Sequence, residues 1–135
     1  MQIRGRGIAK GVGKGLLLIS PAPVSFLSGI DPATGIIVEK GHPLQGESIA
    51  GRVFAFPYGK GSTVGSYVLY GLSRNGHAPS AIINTEAEPI IATGAIIGKI
   101  PMIDRIEVPI SRLRNGVTVT VDGDKGEMMY DGDIV

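Results

Sequence analysis

Glycine interrupts this chain every few residues and divides its aliphatic residues into short runs. Of the 135 residues, 21 are glycine and nine are proline. Together they make up about a fifth of the chain, which is below the roughly 25–30% typical of low-complexity sequence. The runs between the glycines, such as GLLLI and GIIVE, are rich in residues that favour strands. We therefore expect a folded chain in which short strands are joined by turns.

Size and hydropathy indicate one domain that meets a partner. A mass of 14.0 kDa is that of a single ordinary domain, so we predict one domain over residues 1–135. Apolar residues make up 43% of the sequence and the mean hydropathy is +0.23, which is high for a small domain without a membrane span. Part of this apolar surface is therefore expected to contact another chain.

Composition also argues against several classes of function. No apolar run approaches the roughly 18 residues needed to cross a bilayer, and the first residues, MQIRGRG, lack the hydrophobic block of a signal peptide. A net charge of +1 is far from the basic excess of nucleic-acid-binding proteins. We expect a cytoplasmic protein that binds neither membrane nor nucleic acid. Because the chain has no cysteine, it offers no thiolate to zinc or to an iron-sulfur cluster, which another chain would have to hold.

Strand-like runs dominate both ends of the chain. The N-terminal segment QIRGRGIAKG and the following GKGLLLIS predict a hairpin or a pair of sheet edges. In the tail segment VTVTVDGDKGEMMYDGDIV, apolar and polar residues alternate. This pattern predicts two strands joined by a turn at residues 122–126. Further strands are predicted in GIIVE, GRVFAFP, AIIN and IPMID.

Two helices are predicted between these strands. The apolar residues Val64, Tyr67, Val68 and Leu72 have the spacing of one buried helical face, which predicts a helix over 63–74 that Asn75 and Gly76 end. Pro89 suits the first turn of a second helix in PIIATGAIIG. Strands around a small helical layer indicate an α+β fold, a β/β/α arrangement rather than a doubly wound sheet.

The segment PYGKGSTVG, residues 57–65, is the main candidate for chemistry. It is not a Walker phosphate loop, because Gly61 separates Lys60 from Ser62 and position 54 is Phe54. The N-terminal glycines do not form a dinucleotide fingerprint, because position 10 is Lys10. Neither a nucleoside triphosphate nor a nicotinamide cofactor is predicted.

This segment nevertheless has the properties of an anion site. Glycines let the backbone approach a ligand closely, and the first N–H groups of the helix that begins near Thr63 point into the same space. Lys60 adds a full positive charge suited to a carboxylate or a phosphate. The alternative is that Ser62 or Thr63 only caps the helix while Lys60 lies in solvent. Since one hydroxyl is enough for a cap, the other remains free for a ligand.

Other polar residues carry weaker signals. His42 and His77 lie in turns with no acid or second histidine at ligand spacing and are expected on the surface or in loop packing. The acidic residues near 122–127 do not match a calcium loop and indicate a solvated turn. Glu86 and Glu88 precede the second helix, where its dipole favours carboxylates. No specific motif is found for the N-terminal cations Arg4, Arg6 and Lys10.

Three segments together resemble the small subunit, or swivel domain, of the aconitase X family. They are RGRGIAKGVGKGLLLIS, then PVSFLSGIDPATGIIVEKGHPLQGESIAGRVFAFPYGKGSTVGSYVL, then NGHAPSAIINTEAEPIIATGAIIGKIP. The resemblance covers about the first 103 residues in order, and the remaining residues fit the size of that subunit without a motif of their own.

This resemblance implies a swivelling β/β/α domain that docks against a large subunit holding a 4Fe-4S iron-sulfur cluster. It implies a two-chain hydro-lyase that, in archaeal members, dehydrates (R)-5-phosphomevalonate to anhydromevalonate 5-phosphate in a mevalonate pathway. It also implies that Ser62 is the base, with Lys60, Gly61 and Thr63 at the substrate. A serine hydroxyl becomes a usable base when N–H donors and a cation stabilise its alkoxide in a site closed to solvent.

Three alternatives remain open on the sequence alone. The first is a hydroxyproline dehydratase subunit, which bacterial relatives of the family represent. The second is a phosphocarrier swivel domain, which needs a reactive histidine in a Gly-Ser/Thr setting that neither His42 nor His77 has. The third is a non-catalytic binding module.

Overall fold

The computed structural model describes residues 1–61 and 63–135, and within them the chain forms eight strands and three α-helices. In chain order these are β1 (Gln2–Arg4), β2 (Arg6–Ala9), β3 (Val12–Ile19), α1 (Phe26–Gly29), β4 (Val53–Phe56), α2 (Val64–Arg74), β5 (Ala81–Asn84), α3 (Pro89–Ile97), β6 (Met102–Asp104), β7 (Thr118–Asp122) and β8 (Glu127–Tyr130), with a short 3-10 turn at Ile110–Arg112 before β7.

The strands form one mixed sheet in the order β1-β8-β7-β3-β4-β5-β6-β2. The four central neighbours β3, β4, β5 and β6 are parallel, and the remaining pairs are antiparallel. The first two strands lie at opposite ends of this order, although only Gly5 separates them along the chain. The N-terminal segment therefore links the two ends of the sheet and closes it.

One hydrophobic core fills the inside of the closed sheet. Alternate residues of β3, β4 and β5 point into it, since Leu17, Val53 and Ile83 belong to this cluster while their chain neighbours do not. Tyr130 on β8 is fully buried here, and its hydroxyl donates to the Asp133 carbonyl and accepts from the Arg114 N–H. The last strands are thereby fixed to the same core as the parallel strands.

A second core lies between the outer face of the parallel strands and the helices. Phe54 and Phe56 of β4 stack with ring centroids 4.7 Å apart, and Phe26 of α1 packs on Phe56. Leu69 of α2 and Ile91 of α3 cover this face. The closed mixed sheet, with helices packed on the outer face of its parallel strands, confirms the predicted α+β fold. No helix in the described part of the chain is long and apolar enough to cross a membrane.

The N-terminal strands and one internal strand differ from the sequence prediction. Strands β1 and β2 do not form a hairpin with β3, because they pair with β8 and β6, respectively. The predicted sheet edge is confirmed for the first segment, whereas β3 lies between β7 and β4 inside the sheet. Within the described residues, GIIVE makes isolated bridges from Ile36 and Ile37 rather than a strand. The remaining predicted strands are confirmed at β4, β5, β6, β7 and β8.

Helix α2 has the predicted extent but a different buried face. Its fully buried residues are Gly65, Leu69 and Leu72, whereas Tyr67 is 73% exposed. The reason is the contact with α3, where a Cβ on Gly94 would lie 3.0 Å from Leu69. Glycines at 65 and 94 bring these two helices close together and turn the tyrosine outward.

Candidate active site

The glycine loop, residues 57–61, directly follows β4 at the carboxyl end of the parallel strands. In sheets with parallel strands, ligands bind preferentially at this edge. Backbone hydrogen bonds hold the loop from two sides. Lys60 donates its N–H to the Val24 carbonyl at 2.9 Å, and Thr85 at the end of β5 donates its N–H to the Pro57 carbonyl at 3.0 Å.

The glycines of this loop have two different roles. Gly59 lies directly against α3, because a Cβ built on it would overlap the side chain of Ile91 and lie 3.1 Å from Glu88 Oε1. Gly61 has a φ of +106°, a conformation that side chains with a Cβ rarely adopt. The loop therefore needs glycine at 59 for space and at 61 for its backbone conformation.

Ser62, the predicted base, lies outside the described residues. The structure does describe Thr63, which occupies the N-cap position of α2 with helical dihedral angles and makes no side-chain capping hydrogen bond to the described residues. Its carbonyl accepts a 2.8 Å hydrogen bond from the Ser66 hydroxyl. Within the described residues, the Thr63 side chain therefore does not cap α2, and the residue is exposed beside the loop.

Lys60 carries the charge of the loop. Its Nζ atom lies 3.2 Å from Oε2 of Glu39, and the two side chains are 48% and 29% exposed. The ammonium is thus at the loop, as the sequence predicts, but it already has a carboxylate partner. Glu39 was not a sequence candidate, because it lies 21 residues earlier in the chain with no spacing that links it to the loop.

The two helix N-termini near the loop are not equivalent. At α3, Glu88 accepts hydrogen bonds from Ile91 N at 2.6 Å and Ile90 N at 2.9 Å, so its own carboxylate occupies that terminus. This confirms the predicted position of Glu88 at a helix start. No acidic side chain lies in the first turn of α2. The positive end of the α2 dipole is therefore not balanced by an acidic side chain of its own first turn.

The cavity beneath the loop is too small to enclose a substrate. It has a volume of about 40 Å³, far below the roughly 300–1,000 Å³ of typical ligand pockets. A larger cavity of about 700 Å³, lined by Ile8, Lys10, Ile96 and Lys99 among others, lies near the amino ends of β3 and β6, at the opposite edge of the parallel strands. The outer side of the loop is exposed to solvent at Lys60 and Gly61.

Comparison with known proteins identifies the family of this chain. The family model of the aconitase X swivel domain matches residues 2–130. The chain belongs to the aconitase X swivel-domain family. Aconitase X of Thermococcus kodakaraensis, in a crystal structure of its holo-form, superposes with a TM-score of 0.93 at 48% identity, over 98% of this chain and 99% of that one. The resemblance seen in the sequence is confirmed.

Relatives of this aconitase X swivel domain carry more specific names. The chain is 55% identical over 127 residues to the phosphomevalonate dehydratase small subunit of Methanocella arvoryzae, which covers 93% of this chain and 96% of that protein. It is 54% identical over 128 residues to the subunit of the same name from Pyrococcus furiosus, over 95% and 94% of the two chains.

Exposed apolar side chains surround the loop of this swivel domain. Tyr58 is 50% exposed, Val64 is 44% exposed, and Tyr67 projects one helical turn beyond Val64. Sequence periodicity had assigned Val64 and Tyr67 to the buried face. The composition had indicated an apolar contact surface but not where it lies, and the structure locates apolar surface next to the loop.

Two further charged residues that the sequence singled out, Arg6 and Glu86, form ion pairs with other residues of the chain. Arg6 binds the fully buried Asp104 through Nε and Nη2 at 2.9 and 2.8 Å. Glu86 binds Arg105 at 2.6 Å on the surface, and this hydrogen bond lowers the pKa of the Glu86 carboxyl. Among the residues that the structure describes, no group of three or more His, Asp or Glu is placed to hold a metal ion.

The two histidines and the acidic tail turn have structural surroundings. His42 is 7% exposed, and its Nδ1 accepts from the Leu44 N–H at 3.0 Å. His77 follows the end of α2 and donates its backbone N–H to Leu72. In the turn between β7 and β8, Asp122 Oδ1 accepts from the N–H groups of Asp124 and Lys125. These contacts agree with loop packing and a turn.

Proposed function

We propose that this chain is the small subunit of a two-chain phosphomevalonate dehydratase. The reaction removes water from (R)-5-phosphomevalonate to give anhydromevalonate 5-phosphate. The observation that carries the proposal is the 55% identity over nearly the whole of both chains to a protein of that name. This chain is also 48% identical, over nearly the whole of both chains, to aconitase X of Thermococcus kodakaraensis. That similarity supports the same class of enzyme.

Ser62 is the proposed base of this reaction. It follows the glycine loop at the carboxyl end of β4 and directly precedes Thr63 at the start of α2. Dehydration requires a proton to be removed from a carbon, and a serine accepts it only where its alkoxide is stabilised. The positive end of the α2 dipole, whose first turn carries no acidic side chain, and the ammonium of Lys60 favour negative charge in this region.

Lys60, Gly61 and Thr63 are the proposed substrate-binding residues. Lys60 pairs with the phosphate or the carboxylate of the substrate, since it provides the full positive charge of the loop. Gly61 lets the backbone approach the ligand because its positive φ leaves no side chain in the way. Thr63 offers an exposed hydroxyl that is not used to cap α2.

A large subunit is the proposed partner that completes the site. The open outer side of the loop and the exposed Tyr58, Val64 and Tyr67 around it fit a surface that another chain covers. An iron-sulfur cluster of the complex would be held by that subunit, because this chain has no cysteine. When bound, such a cluster supplies Lewis-acid activation of the leaving hydroxyl. The roles assigned to this chain are binding, orientation and proton removal.

Reconstitution of the two chains tests this function. The small chain is mixed with the candidate large subunit and assayed for dehydration of 5-phosphomevalonate and, in parallel, of hydroxyproline. We expect turnover of the phosphorylated substrate by the complex and none by the small chain alone. Turnover of hydroxyproline but not 5-phosphomevalonate would assign the other dehydratase, and activity of the isolated small chain would exclude the two-chain mechanism.

A further inference from the structure

The ion pair between Lys60 and Glu39 places a negative charge beside the proposed anion site. One oxygen of Glu39 lies 3.2 Å from the ammonium nitrogen. Lys60 is the only charged residue in the segment PYGKGST, so this contact counterbalances the whole side-chain charge of the loop. A ligand phosphate that binds Lys60 would lie close to the Glu39 carboxylate as well.

The backbone of Glu39 is held in place independently of Lys60. The N–H groups of Val38 and Glu39 both donate to the carbonyl of Gly29 at the end of α1, at 2.9 and 3.3 Å. The Glu39 carbonyl accepts from the N–H of His42, which is itself buried. The main chain at Glu39 is therefore fixed beside the loop by contacts that do not involve Lys60.

Within the described residues, the Lys60 side chain is held by its ion pair with Glu39 and by no other polar contact. The Lys60 N–H donates to the Val24 carbonyl, whereas the long side chain is 48% exposed. Exposed ion pairs of this kind contribute little to folding stability, since solvent and salt screen them. The pair is thus better suited to exchange with a ligand than to hold the loop together.

We propose that Glu39 is a specificity-determining residue that competes with the anionic substrate for Lys60. The Glu39 carboxylate neutralises the Lys60 ammonium before a ligand binds, so a singly charged or weakly bound anion gains little there. A doubly charged phosphate that makes additional contacts in the assembled site outcompetes it. This inference rests on the proposed role of the loop in binding a phosphorylated substrate.

The sign of the effect separates this role from a structural one. A residue that only supported the loop would weaken ligand binding when it was altered. A competing carboxylate does the opposite: its replacement by an uncharged side chain of the same shape strengthens anion binding. The electrostatic interaction of unit charges about 4 Å apart is large enough to change affinity severalfold, even when partly screened.

The test measures binding of inorganic phosphate to the assembled two-chain complex by calorimetry at low salt. The variants are Glu39→Gln, Lys60→Ala and the double variant. Glu47→Gln is the matched control, because Glu47 is an exposed glutamate of the same segment and has no side-chain contact with Lys60 among the described residues. Thermal unfolding of each complex checks that it is folded.

We expect Glu39→Gln to lower the phosphate Kd by about five- to tenfold, an effect that shrinks at high salt. The same substitution in the Lys60→Ala background should change the Kd less than twofold, and so should Glu47→Gln in the wild-type background. An unchanged or higher Kd for Glu39→Gln, or an equal decrease without Lys60, overturns the proposal. If Glu39→Gln does not assemble, Glu39→Asp, which draws the carboxylate back from Lys60, should lower the Kd in the same direction.

This binding measurement is independent of turnover. A complex that shows the expected phosphate affinities but dehydrates no 5-phosphomevalonate would support the role of Glu39 and refute the proposed function. A complex that dehydrates 5-phosphomevalonate, but whose phosphate Kd is the same in the wild type, Lys60→Ala and Glu39→Gln, would refute the role of Glu39 alone.

Discussion

Gly59 and Ile91 are in direct contact, so that the glycine loop after β4 lies on the first turn of α3. A Cβ at position 59 would overlap Cγ1 of Ile91, and Ile91 is itself only 2% exposed. The position of the loop is therefore determined by the packing of a buried helix and not by the loop sequence alone. Any change at this contact should move Lys60, Gly61 and the residues that follow them.

Gly59→Ala should reduce both stability and activity. The added methyl group has to displace Ile91 or the loop, and overpacking of this kind typically destabilises by about 1–3 kcal/mol. Gly71→Ala is the matched control, because a Cβ there meets nothing within 4 Å and the residue lies inside α2. Alanine at 71 should stabilise by about 0.5–1 kcal/mol. Chemical denaturation and dehydration assays measure the two effects; equal behaviour of both variants would contradict the packing argument.

Asp104→Ala should destabilise the closure of the sheet. The fully buried Asp104 accepts from Arg6 of β2 and, at 2.7 Å, from the N–H of Ala87 before α3. Without it the half-buried Ala87 N–H and the Arg6 guanidinium both lose a hydrogen bond to a charged acceptor, which costs about 1.5–3 kcal/mol. Urea unfolding of the wild type and of Asp104→Ala measures this loss of unfolding free energy. Glu86→Ala removes an exposed carboxylate and its surface pair with Arg105, so it should lower the midpoint much less than Asp104→Ala does; a comparable loss would contradict a specific role for Asp104.

Glu86 should titrate below the ordinary glutamate range. The hydrogen bond from Arg105 is the main cause of its lowered pKa, with the positive charge of that guanidinium as a further contribution. Because the folded-state pKa is below the unfolded one, the stabilisation is present above the ordinary glutamate pKa and is lost as pH falls through the folded value. NMR titration should show the Glu86 pKa rising towards its ordinary value in Arg105→Ala. An unchanged pKa would show that the pair does not form in solution.

Tyr67→Ser should weaken association with the large subunit. Tyr67 is 73% exposed beside the loop, and exposed aromatic residues are frequent anchors of protein interfaces. We expect the Kd of the two chains to rise by about tenfold or more, measured by titration of the labelled small chain. Ile97→Ser is the control, since Ile97 is 50% exposed at the far end of α3. Equal weakening by both substitutions would place the interface elsewhere.

Local sequence signals predict the strands and helices of this chain well. The run AIIN becomes β5 because its residues favour strands and turns bound it, and Pro89 starts α3 as its fixed φ allows. The closure of the sheet could not be predicted in the same way. It depends on pairing between Arg6 and Asp104, which lie 98 residues apart. No local pattern encodes such a contact.

In the candidate site too, residues of one segment could be predicted from the sequence, whereas contacts between distant segments could not. Gly59, Lys60 and Gly61 could be identified from their own segment, and the structure places them together at the end of β4. Glu39 comes from a different loop, so its contact with Lys60 appears only in the folded chain. The outward orientation of Tyr67 was missed because Gly65 and Gly94 decide how closely α2 approaches α3, and periodicity does not report that distance.

The most direct test of the account is the turnover number of the reconstituted two-chain complex with Ser62→Ala in the small chain. Loss of the base should lower kcat for 5-phosphomevalonate by about 10²- to 10⁴-fold while the complex still assembles. Ser73→Ala, which removes a hydroxyl at the other end of α2, should retain wild-type turnover. A Ser62→Ala complex that dehydrates its substrate at a rate close to that of the wild type would contradict the central claim.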